Sequence, residues 1–113
     1  MMKIESKYDR ELKNNIVECL EESLGIPREY WDVMRTKKSD EVFIRKIYCF
    51  LLKEHTDFNL KKIADVVGYK DHGSVIRTVD NIKNSLALKP NDKVGQIIKE
   101  FKQIYETRYS NPN

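Results

Sequence analysis

The chain holds only 4 glycines and 3 prolines in 113 residues, too few for hairpin-rich or loop-rich architectures. Its 2 cysteines, Cys19 and Cys49, cannot build a disulfide framework. Together with His55 and His72 they show no zinc-ligand spacing, so neither a metal nor a cofactor is expected. Both cysteines fall on apolar helix faces, which marks them as buried thiols of a reducing compartment. No apolar run approaches the ~18 residues of a membrane span, and no charged-then-apolar start resembles a signal peptide. A cytoplasmic location is the expectation, with no membrane partner. A phosphate-binding G-x-x-x-x-G-K-S/T loop is missing as well. With two distant histidines, no carboxylate pair and no nucleophile arrangement, there is no catalytic constellation, and an enzyme is not expected.

What the chain does hold is charge, 35% of its residues, and apolar residues recurring at helical spacing. Its length suits one domain. The fold class expected is all-α: a compact bundle of five to six helices over residues 1–113, with 1–7 and 109–113 as flexible ends. The net charge of +3 is unevenly spread. Residues 1–34 carry 5 basic and 8 acidic groups, net −3, whereas residues 35–113 carry 16 and 10, net +6. A positive half suits a polyanionic partner, although a solvated lysine-rich surface has the same composition.

A first helix is predicted from Tyr8 to Leu24, burying Leu12, Ile16, Cys19, Leu20 and Leu24. Its opposite face, with Glu11, Glu18, Glu21 and Glu22, is acidic and either wet or open to a basic partner. Pro27 fits the first position of a short helix, PREYWDVM, with Tyr30 and Trp31 as core anchors. RTKKSD then forms a basic loop with Arg35, Lys37 and Lys38. Ser39 or Asp40 can cap a central helix running to His55, apolar over a broad face from Phe43 to Leu52. After Leu88 the segment KPND breaks the helix, and Asn91 or Asp92 starts a last one with Val94, Ile97, Ile98, Phe101, Ile104 and Tyr105 as its stripe. That helix should pack back on the bundle or pair with a second copy.

Between these lies Asn59 to Leu86, two short helices joined by a tight turn. Asn59 is a fitting N-cap, and Leu60, Ile63, Ala64 and Val67 share one face. Gly68 stands where a helix stops in the left-handed conformation. Asp71 can cap a second helix whose stripe is Val75, Val79, Ile82 and Leu86. Lys70, His72, Gly73, Ser74, Arg77, Thr78 and Asn81 are then expected to face outward, polar and clustered at a helix N-terminus. This is the layout of a helix-turn-helix reader of DNA.

GYKDHGSVIRTVDNI resembles the signature of the C-terminal DNA-binding domain of DnaA, the bacterial chromosomal replication initiator, a helix-turn-helix similar to that of Trp repressor. Against the family's approximate G-G-R-D-H-T-T-V, Gly68, Asp71, His72 and Val75 match, while Lys70 replaces arginine and Ser74 replaces threonine. Lys53, Glu54, Thr56, Leu60 and Ile63 also fit, so the resemblance covers roughly Asn14 to Leu88. It implies sequence-specific binding to a short double-stranded DNA box. Asp71, His72, Gly73 and Ser74 then stand at the base-reading positions. Asp71 would accept from a cytosine amino group, a pairing that base-edge chemistry also allows. His72 would meet a base edge or a neighbouring phosphate. Phosphate contacts are expected from Arg35, Lys37, Lys38, Arg45, Lys53, Lys62, Lys70 and Arg77, and from Ser74 as well.

Three departures from the family are visible. The initiator's ATPase module has no counterpart here. Gly73 replaces a base-contacting threonine. Phe43 stands where the family inserts an arginine into the minor groove, with Arg45 nearby and Arg35, Lys37 or Lys38 as possible substitutes. The function expected is sequence-specific duplex binding by a stand-alone DnaA-like domain that regulates replication or transcription, or competes for initiator sites. The alternative is an interaction module that kept the fold and lost specific reading, using the first or last helix for a homodimer or another protein. A ligand-gated repressor is a third reading.

Overall fold

Helical periodicity and scarce glycine set the architecture. The computed structural model describes residues 7–25 and 39–109. Among them stand five helices and no strand: α1 Lys7–Leu24, α2 Ser39–His55, α3 Leu60–Val67, α4 His72–Leu88 and α5 Lys93–Tyr109. The all-α expectation holds. The proposed short helix PREYWDVM, with Tyr30 and Trp31, lies outside the described residues, as do the basic-loop positions Arg35, Lys37 and Lys38.

α2 is the central helix, because apolar side chains surround almost its whole circumference. Ile44, Ile47, Tyr48, Cys49, Phe50, Leu51 and Leu52 are all buried. It packs against α1, α3 and α4, while α5 closes the bundle against α1 and α4. α5 thus turns its stripe inward: Ile98 and Phe101 are buried, with Val94, Ile97, Ile104 and Tyr105 packed around them. Cys19 and Cys49 are free, buried thiols, and burial pushes the Cys49 pKa up to about 12. His55 ends α2 with its ring against Phe101 and Tyr105, and burial lowers its pKa, favouring the neutral imidazole.

Part of the acidic face of α1 is occupied by the far end of α5. Arg108 donates to a Glu22 carboxylate oxygen, and the Tyr109 hydroxyl bonds Glu18 Oε2 at 3.1 Å. At the other end of α5, Asp92 Oδ1 accepts the Gly95 N–H at 3.1 Å, so Asp92 takes the capping role.

Candidate nucleic-acid interface

α3 and α4 are built by their caps. Asn59 has extended backbone, and its Oδ1 accepts the Lys62 N–H at 2.8 Å. The helix carries Ile63, Ala64 and Val67 into the core and stops at Gly68. Gly68 has φ +83°, and both its N–H and that of Tyr69 donate to the Ala64 carbonyl. A residue with a Cβ would be strained there, which is why glycine ends the helix. Three residues later Asp71 returns to extended backbone and accepts the Ser74 N–H at 2.9 Å, starting α4.

Burial of Val75, Val79 and Ile82 fixes the rotation of α4 about its axis. His72, Arg77 and Asn81 are consequently exposed, and Gly73 and Ser74 half-buried. Asp71 is also exposed, and its pKa lies below the ordinary carboxylate value, chiefly because the Ser74 N–H donates to it and further because Arg77 is near. Its carboxylate stays ionised as an acceptor. The four expected base-reading residues therefore form one continuous surface at the start of α4.

Thr78 departs from expectation. It is 7% exposed rather than outward, and its hydroxyl donates to the Tyr69 hydroxyl at 3.3 Å. The turn folds Tyr69 back along α4, covering Thr78 and removing it from the outer face. Tyr69 in turn supports Arg45, whose guanidinium carbon lies 5.9 Å from the ring centre. Arg45 is half-buried, and its Nε and Nη2 are enclosed without any hydrogen-bond partner. Sequence reasoning missed Tyr69, since a tyrosine between a glycine and a lysine has no periodic partner to reveal its contact.

The other expected phosphate contacts are divided. Lys53, Lys70 and Arg77 are exposed, on α2, in the turn and on α4. Lys62 is engaged elsewhere. Its ammonium lies 2.7 Å from Asp9 Oδ2 and 4.3 Å from the centre of the Phe58 ring, tying α3 to α1. Lys62→Ala is therefore expected to cost about 1 kcal/mol of stability, from a partly exposed ion pair and a cation–π contact. A thermal melt should show this as a fall of several degrees, with the salt dependence of DNA binding unchanged. A salt slope flattened by about one unit would instead put Lys62 on phosphate.

Ile76 was also missed. It is 46% exposed on α4, an apolar group on an otherwise polar face. Its signal was an isoleucine outside the Val75–Val79–Ile82 stripe.

A short helix, a left-handed glycine turn and a second helix presenting a polar, capped N-terminus define a helix-turn-helix protein. The model of the bacterial dnaA protein helix-turn-helix matches residues 14–82, and the chain belongs to that family. Among curated relatives, the chromosomal replication initiator protein DnaA of Picosynechococcus sp. is 27% identical over 97 residues, which cover 85% of this chain and 21% of the relative. The DnaA of Bacteroides thetaiotaomicron is 35% identical over 52 residues, 46% of this chain and 11% of that protein. The Bacteroides fragilis DnaA is 35% identical over 49 residues, 43% and 10%. The chain thus spans about a fifth or less of the length of these relatives. No solved structure gives a significant match.

Proposed function

We propose that this chain, as a single domain over residues 1–113, binds double-stranded DNA sequence-specifically with α4 in the major groove. In this reading it acts in the cytoplasm as a regulator of replication or transcription, or as a competitor for initiator sites. The observation that carries the reading is Arg45. A half-buried guanidinium with two unpartnered nitrogens is costly, and an anion that reaches it as the side chains covering Nε and Nη2 shift relieves that cost. A DNA phosphate seated against the Tyr69 turn is such an anion, and it would bring the start of α4 to the neighbouring base edges. Asp71 and His72 supply polar contacts there, and Ile76 offers an apolar surface for a thymine methyl group. Lys53 and Lys70 add exposed positive charge for the flanking backbone. Among the described residues no helix is long and apolar enough to cross a membrane.

The test is selection of bound duplexes from a random pool at near-physiological salt, followed by a salt titration on the winners. Enrichment of a short motif is expected, with log K against log salt sloping roughly −4 to −5 for four to six phosphate contacts. No motif together with a flat slope would leave the fold as an interaction module.

A further inference from the structure

The side chain of Arg77 does not extend along the flank of α4. It folds back over the first turn of the helix. Its Nη2 donates to Ser74 Oγ at 3.1 Å, and Ser74 Oγ lies 3.4 Å from Asp71 Oδ1. This path runs directly over Gly73. A Cβ on Gly73 would stand 3.5 Å from Arg77 Nη1 and 3.1 Å from Asp71 Oδ1. The fork thus lies in van der Waals range of position 73, where the family's base-contacting threonine is lost, and glycine presses on neither the fork nor the Asp71 carboxylate.

We propose that Arg77 is a base-reading residue rather than a phosphate contact, and that with Asp71 it recognises one G·C pair. The inference rests on the duplex-binding reading above. A phosphate arriving at this guanidinium would meet the Asp71 carboxylate beside it, and the repulsion offsets the attraction. A G·C edge suits the pair better. Across the major groove it presents two acceptors, guanine N7 and O6, followed by the cytosine amino donor. The planar fork of Arg77 complements the first two, and the Asp71 carboxylate complements the third. Ser74 bridges the two side chains and holds their spacing, so it acts as a positioning residue.

The test compares the wild-type chain with Arg77→Lys, Arg77→Gln and Asp71→Asn by duplex selection and by affinity for random duplex. Arg77 is exposed, and circular dichroism melts would verify that each variant folds. The wild type should select a motif with one near-invariant G·C pair. Arg77→Lys keeps the charge but loses the fork, so random-duplex affinity should stay within about twofold. Its discrimination at that pair should fall about 5- to 150-fold. Arg77→Gln should lose the guanine preference or exchange it for adenine, and Asp71→Asn should relax the same base pair. An unchanged motif in Arg77→Lys, or a uniform loss across all sequences in Arg77→Gln, would make Arg77 a phosphate contact and overturn the inference alone. Relaxation at two different base pairs would overturn the joint reading. No motif from the wild-type chain would remove both this inference and the function on which it rests.

Discussion

Arg45→Met should weaken binding to every duplex by about 10- to 100-fold while leaving the fold as stable as before, or more so. One charge-assisted hydrogen bond is worth about 1.5–3 kcal/mol, which sets the loss of affinity. The stability argument runs the opposite way. In the free protein Arg45 keeps two enclosed nitrogens without partners, and methionine of similar reach removes that cost. The contact with the Tyr69 ring opposes this by only about 0.5–1 kcal/mol. Fluorescence anisotropy on a selected and a scrambled duplex measures the first effect, and a urea melt the second. Equal losses on both duplexes identify a phosphate contact. Unchanged binding with a weakened fold would make Arg45 a structural residue, and the observation behind the proposed function would fail.

Gly95→Ala is expected to destabilise the protein by about 2 kcal/mol or more. A Cβ at this position would lie 2.0 Å from the Pro90 carbonyl oxygen and 2.7 Å from its carbon. Both are backbone atoms and cannot rotate aside, so the turn before α5 must move, costing about 1–3 kcal/mol or more as overpacking does. Displacement also weakens the cap from Asp92 to the Gly95 N–H, about 1 kcal/mol. The better helix propensity of alanine returns at most about 1 kcal/mol. A melting temperature lower by roughly 8–16 °C follows from a loss near 2 kcal/mol. The bases selected should not change, because the start of α4 is remote in sequence and separately capped. A melting temperature equal to or above that of the wild type would mean that the helix does not approach Pro90 so closely.

Much of the candidate interface is legible in the sequence because its parts are local. Asn59, Gly68 and Asp71 act within three or four residues of themselves, through caps and a left-handed turn that their own chemistry dictates. The stripe Val75, Val79 and Ile82 likewise follows from helical spacing, and it predicted which way His72 and Arg77 would face. Thr78 was misplaced for a related reason. It sits at the edge of that stripe, where 100° per residue leaves the face undecided, and the Tyr69 hydroxyl decides it.

Sequence alone determined the helical class, the positions and ends of α3 and α4, and the residues gathered at the start of α4. Each depends on neighbours within one or two turns, so the information lies along the chain. Tertiary structure decided the state of the charges. Lys62 and Arg45 look alike in a sequence, two cations of helical segments in the basic half. Folding sets one against Asp9, 53 residues away, and leaves the other enclosed beside Tyr69 with two nitrogens unmet. Charge interacts through space and its cost depends on burial, neither of which periodicity carries. The same holds for Gly95, whose missing side chain matters only because the chain turning at Pro90 passes within van der Waals reach of it.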